Sequence, residues 1–313
     1  MPRSASHLAR LALLVPSLCL PLTATATEGG GSSYPVGVET NFSGAMLPEG
    51  IHGLVYYQHY TAERNRDNSG HDNPRFAYFK SQADVLALRF SKIWPEIRFA
   101  GAQVESRLVL TLPTLDLHAG LSRTAPLPPL DRSGSAQALG DTTLAPVLLG
   151  WHGENWHQLA GVEIIAPSGD YRVERPVNAG RNTWQTALLY GVSWLPGTWE
   201  ASARLRMGHN SPNTATDYHS GDELSLEFSA GRKLAPGWFA GINGYLYRQL
   251  SNDVQHGTVV NGNGNRGAAN ALGPYVAWSA SRQASLVGKL QQEFDNRNRA
   301  EGLRLWLQAR YSF

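Results

Sequence analysis

The links between successive alternating segments constrain this chain more than any other feature. From Gly50 onward, apolar and polar residues alternate with period two over segments of about 12–16 residues. None carries an apolar helical stripe over three turns. The pattern predicts strands at about 50–64, 82–94, 97–112, 141–152, 156–167, 182–195, 198–210, 219–234, 237–250, 266–280, 283–294 and 301–313. Links after even-numbered strands are tight: Pro95-Glu96, Gly153–Asn155, Pro196-Gly197, Ala235-Pro236 and Ser281-Arg282. Links after odd-numbered strands are long: 65–81, 113–140, 168–181, 211–218, 251–265 and 295–300, rich in Asn, Asp, Gly and Arg. A strand of a soluble sheet averages about five or six residues; these suit tilted strands crossing a bilayer. An even count, tight turns at one end and long loops at the other describe an outer-membrane barrel. The expected fold is all-β: a transmembrane antiparallel up-and-down β-barrel of about twelve strands. Short turns and both chain ends are periplasmic, and the longer loops are extracellular.

Alternation assigns the faces. In the last strand Leu303, Leu305, Leu307, Ala309 and Tyr311 oppose Arg304, Trp306, Gln308, Arg310 and Ser312. In 198–210, Trp199, Ala201, Ala203, Leu205 and Met207 oppose Glu200, Ser202, Arg204 and Arg206. An Arg facing lipid at the bilayer midplane costs about 2–4 kcal/mol, so the charged face is the lumen. Inward positions are thus expected for Arg89, Glu105, Arg107, Glu163, Glu200, Arg204, Arg206, Glu227, Lys289, Glu293, Arg304 and Arg310. Two readings fit them: ion pairs that cross-link the wall, or a polar conduit for part of an amphipathic molecule. Seven of the nine tryptophans lie within a few residues of the tight turns, as an aromatic girdle at a membrane interface does.

The first 26 residues read as a cleaved secretory signal. Arg3 and Arg10 precede the apolar run Leu11–Leu22, and Ala24-Thr25-Ala26 is an A-x-A site. Cys19, the only cysteine, lies inside it. Without Arg3 and Arg10 the remainder has 25 basic and 25 acidic residues, so nothing suggests a nucleic-acid partner. Residues 27–49 are Gly-rich and unpatterned, with Glu28, Glu39 and Glu49 as their charges; the expectation is a plug within the lumen of the 50–313 barrel. The chain ends Tyr311-Ser312-Phe313. An alternating last strand closing on Phe resembles the signal taken by the outer-membrane assembly machinery.

Several motifs carry a resemblance. They are Glu28–Pro35, Leu47-Pro48-Glu49-Gly50, Tyr56-Tyr57, Leu139–Thr143, Gly150-Trp151-His152, Ala166–Tyr171, Gly180–Trp184, Gln291–Phe294 and Asn296–Gly302. Together they resemble the bacterial outer-membrane family labelled "meta-pathway of phenol degradation", whose relatives are called transporters or sphingosine-response outer-membrane proteins. The resemblance implies a barrel similar in kind to fatty-acid and aromatic-hydrocarbon channels, and by association an uptake role for hydrophobic or aromatic compounds. A structural or lipid-sensing barrel without transport is the alternative. Expected partners are outer-membrane lipid and lipopolysaccharide, the assembly machinery and a hydrophobic small molecule. No cofactor, metal or catalytic residue is expected.

A lipase is the distant alternative, because His209-Asn210-Ser211 offers a base near a hydroxyl. Two prolines fall inside predicted strands, Pro146 and Pro274. Proline lacks a ladder donor and belongs at edges or bulges, and a closed barrel has no edges. A bulge or missing ladder bond is expected at one or both, with Pro274 favoured. It would be a place where the wall could open toward the bilayer.

Overall fold

The computed structural model describes residues 31–313; the expected signal at 1–26 lies outside the described residues. Twelve antiparallel strands close into one barrel: β1 (Gly50–Asn65), β2 (Phe76–Phe99), β3 (Ala102–Leu121), β4 (Thr142–His152), β5 (Trp156–Ala166), β6 (Gln185–Trp194), β7 (Trp199–Asn210), β8 (Glu223–Ala235), β9 (Trp238–Gln249), β10 (Ala268–Ser279), β11 (Ala284–Arg297) and β12 (Ala300–Ser312). Each pairs with its sequence neighbour, and β1 pairs with β12 from His52↔Ser312 to Asn65↔Ala300. Closure therefore leaves no exposed edge.

The faces follow the alternation. On β7, Glu200, Ser202, Arg204 and Arg206 are buried, while Trp199, Leu205 and Met207 are exposed. Leu188, Ile242 and Leu307 continue the exposed apolar surface on β6, β9 and β12. This is a soluble protein turned inside out, an apolar exterior around a charged interior, and it matches a bilayer as solvent. At the tight-turn end, Trp238 stacks on Trp278 at 5.4 Å, and Trp156 lies 6.3 Å from Trp194.

One tight turn differs from the sequence expectation. The chain reverses at Ala100-Gly101, both with positive φ (47° and 75°), rather than at Pro95-Glu96. That pair of conformations fits a two-residue hairpin. Pro95 is absorbed in the register shift between Trp94 and Arg98. At their other end β2 and β3 stay paired out to Phe76↔Leu121, so the loops beside them are shorter than expected. The loop between β3 and β4 adds Gly134–Gln137 alongside β3. Tyr218–His219, Val254–Gln255 and Thr258–Val259 form a small separate sheet in the extracellular loops.

Both prolines interrupt pairing, in different ways. At Pro146 the register shifts on both sides of β4, between Glu105 and Arg107 of β3 and between Leu144 and Leu148 toward β5. This is a bulge, and Ser106 Oγ donates to Pro146 O at 2.8 Å. At Pro274, the favoured site, pairing with β9 is unbroken and pairing with β11 skips Gly273 and Pro274 without a change of register. The buried Asn243 side chain lies against that gap, donating through Nδ2 to Gly273 O and Pro274 O, both at 3.0 Å. The missing ladder pairing expected at Pro274 is therefore present, and the same Asn243 amide also reaches Leu290 O of β11 across it at 3.4 Å.

Residues 31–49 form no helix or strand and run as a strap through the barrel. At the extracellular end Gly31 O accepts from Arg181 Nη1 at 3.0 Å, and Ser32 Oγ donates to Glu223 at 2.7 Å. At the periplasmic end Pro48 O meets His52 Nε2 at 2.8 Å. Two apolar footholds dock the strap: Tyr34 and Val36 against Ile165, Tyr245 and Tyr247, and Met46 against Ile93, Leu148 and Leu189. Close approach requires glycine at Gly44, where a Cβ would come 2.4 Å from Ser193 N.

Candidate functional site

The inward positions of β2, β3, β5 and β7 bring six charges together: Arg89, Glu105, Arg107, Glu163, Arg204 and Arg206. Arg89 donates to Glu105 at 3.0 Å, and Arg107 Nε donates to the same carboxylate at 3.0 Å. Across the lumen Glu163 accepts from Arg204 and Arg206, each at 3.0 Å, and lies 3.7 Å from Arg107. The strap's Glu39 completes the belt, 3.0 Å from Arg89, 3.5 Å from Arg204 and 3.9 Å from Arg107. A buried charge is tolerated where it is paired and hydrogen-bonded. Here every member has a partner of opposite sign.

A second set of charges holds the strap, with one ion pair among its members. Glu227 accepts from Tyr34 Oη at 2.9 Å and from Gly37 N. Lys289 donates to Gly37 O at 2.8 Å, Val38 O at 2.7 Å and Thr40 Oγ1 at 3.2 Å. Glu200 accepts from Tyr275 Oη at 2.6 Å, Ser229 Oγ at 2.7 Å and Phe42 N at 3.4 Å. Arg304 ties Val36 O at 2.8 Å to Glu293 at 3.2 Å. Arg310 stands apart, half-buried, with no hydrogen bond to its Nε. The twelve expected inward positions carry seven cations against five carboxylates.

The belt divides the lumen. Above it, toward the extracellular loops, lies a cavity of about 510 Å³. Phe76, Phe79, Val85, Val109, Leu115 and Leu117 are among its apolar lining. Below it lies a cavity of about 320 Å³ lined by Phe42, Met46, Leu54 and Arg310. Glu39, Tyr56, Arg89 and Arg107 line both, so the belt and strap are the partition. At the upper cavity's rim, burial pushes the Asp141 carboxyl above its ordinary range, against the backbone N–H groups of Arg181 and Gly169.

The sequence reading missed Glu39 as a member of the belt. It also missed the inward tyrosines Tyr56, Tyr60, Tyr245, Tyr247 and Tyr275, whose period-two positions were the available signal. The His209-Asn210-Ser211 motif is not assembled for catalysis. His209 Nδ1 pairs with Asp222 at 2.7 Å, while Ser211 Oγ accepts from Trp184 N at 2.9 Å.

Comparison with known proteins places this architecture. An outer-membrane channel from Pseudomonas putida F1 superposes with a TM-score of 0.73 at 20% identity, over 86% of this chain and 98% of that one. The transport unit of the autotransporter AIDA-I from Escherichia coli superposes at 0.52 with 7% identity, over 85% of this chain and 91% of that one. At these identities the likeness is one of fold, the transmembrane barrel. No curated protein sequence matches the chain. The family described as "MetA-pathway of phenol degradation" matches residues 62–309, nearly the whole barrel. The chain therefore belongs to the MetA-pathway of phenol degradation family, and it is an outer-membrane-type β-barrel of that family.

Proposed function

We propose that this protein is an outer-membrane channel for the uptake of hydrophobic or aromatic small molecules. The observation that carries the reading is the upper cavity. It is an apolar chamber of about 510 Å³ at the extracellular end of a closed barrel, in the size range of small-molecule sites. A second cavity of about 320 Å³ follows it below the charged belt. The two lie along one path, interrupted by the strap. On this reading the chain resides in the Gram-negative outer membrane after signal cleavage. Its apolar exterior contacts lipid and lipopolysaccharide, and the assembly machinery inserts it.

The strap also favours a second reading, a structural or lipid-sensing barrel without transport, because it occupies the lumen from end to end. Proteoliposome swelling with small aromatic solutes, run on the whole barrel and on one lacking residues 31–45, separates the two. Permeation in either form supports the channel. Impermeability of both supports the structural barrel. A competitive growth assay of a deletion strain on hydrophobic carbon sources then asks whether uptake is the physiological role.

A further inference from the structure

The upper chamber holds two arginines that the ion-pair belt does not use. Arg132, in the loop after β3, and Arg299, between β11 and β12, both line it. Neither side chain lies within salt-bridge distance of a carboxylate or hydrogen-bonds to any described residue. Arg132 Nε and Arg299 Nη1 are buried and without a partner. Arg299 is only 8% exposed.

Glu293, Glu39, Glu163, Asp141 and Asp131 are already committed, and Asp116, which also lines the chamber, is within salt-bridge distance of neither arginine. Glu293, the acid that bears on Arg299, accepts from Arg304, Tyr60, Tyr245, Asn296 and Gly302. Glu39 and Glu163 each face three arginines of the belt. Asp141 accepts the backbone N–H groups of Gly169 and Arg181. Asp131, beside Arg132 in sequence, accepts from Ser133 N and Tyr78 Oη. Arg299 instead rests on the Tyr247 ring at 4.5 Å, which orients a guanidinium without neutralising it.

A guanidinium withdrawn from water without an anion is costly, so the chamber is incomplete without one. The wall on the Phe76, Phe79, Val109 and Leu117 side is apolar, while polar groups such as Gln58, Ser81, Thr111 and Asn178 share the remainder. We propose that the chamber binds amphipathic carboxylates, an aromatic or alkyl body against the Phe76, Phe79, Val109 and Leu117 side and a carboxylate taken by Arg299 or Arg132. This deepens the channel reading and rests on it, since it names the substrate class of the same cavity. Arg donates to a carboxylate in a planar, two-pronged fashion that an amide or alcohol of the same shape cannot use.

The test titrates the full barrel in lipid nanodiscs with 4-phenylbutyrate, with 4-phenylbutyramide and with acetate, by calorimetry. The acid should bind at least about ten-fold more tightly than the amide, the usual size of one charge-assisted hydrogen bond. R132Q and R299Q should each reduce that preference, and the double variant should abolish it with the amide's affinity unchanged. Equal binding of acid and amide by the unaltered barrel overturns the proposal and needs no variant. Preference surviving in the double variant also overturns it, as does acetate binding as tightly as phenylbutyrate, which marks a simple anion site. Amide binding without acid preference removes this proposal and leaves the channel reading standing. Failure of both aromatic probes to bind removes the two together.

Discussion

At the scale of single residues the decisive group is Glu39. The twelve expected inward positions set seven cations against five carboxylates, and one acid from outside the wall settles between Arg89, Arg107 and Arg204. The wall residues were legible because a strand has period two, and one charged position predicts the facing of the rest. Glu39 was visible as a charge but not as a partner, because a segment without regular structure has no period to assign direction. The excess of positive charge on the inward positions was the remaining clue. Glu39→Gln keeps the shape and removes the charge, so Arg89, Arg107 and Arg204 keep only Glu105 and Glu163 as acidic partners. Breaking a buried pair costs about 3–5 kcal/mol. The variant should therefore unfold at lower temperature in a heat-modification gel. It should also conduct more in planar bilayers, since Glu39 lines both cavities. An unchanged unfolding temperature would show that solvent or a neighbouring group replaces the carboxylate.

At the scale of elements, strands were legible and their joints less so. Tight turns at 153–155 and 236–237 fall where Gly, Asn and Pro cluster. The β2–β3 turn was misplaced because Pro95 reads as a breaker, yet a bulge accommodates it and the reversal forms five residues later at Ala100-Gly101. The missing ladder bond at Pro274 was legible, but the Asn243 amide that meets the carbonyls beside it comes from a neighbouring strand and was not. Asn243→Leu would leave the Gly273 and Pro274 carbonyls without that donor. A buried unsatisfied group costs about 1–3 kcal/mol, so thermal unfolding should occur at lower temperature, with hydrogen exchange faster at the β10–β11 seam. Equal exchange there would mean that the seam is closed by something other than Asn243. The strap is an element too, held by fit. In Gly44→Leu the new side chain meets Ser193 N and the Val192 backbone, each 2.4 Å from the position of its Cβ. The segment around it should lose its seat, and protease should cut residues 31–49 in folded, solubilised barrel while sparing the unaltered protein. Protection of both forms would place the hold on the strap elsewhere, in Glu227 and Lys289.

At the scale of the whole molecule, an exterior of Leu, Ile and Val and an interior of paired charges make the bilayer part of the folding problem. The chain must reach the membrane before its outward face is satisfied. The last strand bears on that step in a way separable from stability. Phe313 is 80% exposed; its ring meets the edge of Tyr311 at 5.2 Å and lies beside Gly53. Its amide, which donates to Ile51 O at 3.0 Å, is the one bond that ties it to the β1–β12 seam. Ser312 still pairs with His52 when Phe313 is gone. Removing so exposed a side chain takes away little buried area and little folded-state stability. If the terminal aromatic serves as an address for assembly, its deletion should lower the yield of inserted barrel in cells several-fold. The inserted fraction should keep the unfolding temperature of the full-length protein. Measuring both on one membrane preparation separates the roles. Lower yield with an unchanged transition assigns Phe313 to assembly. Lower yield with a depressed transition assigns it to the closing seam, and unchanged yield leaves the recognition to Tyr311 and the alternating face behind it.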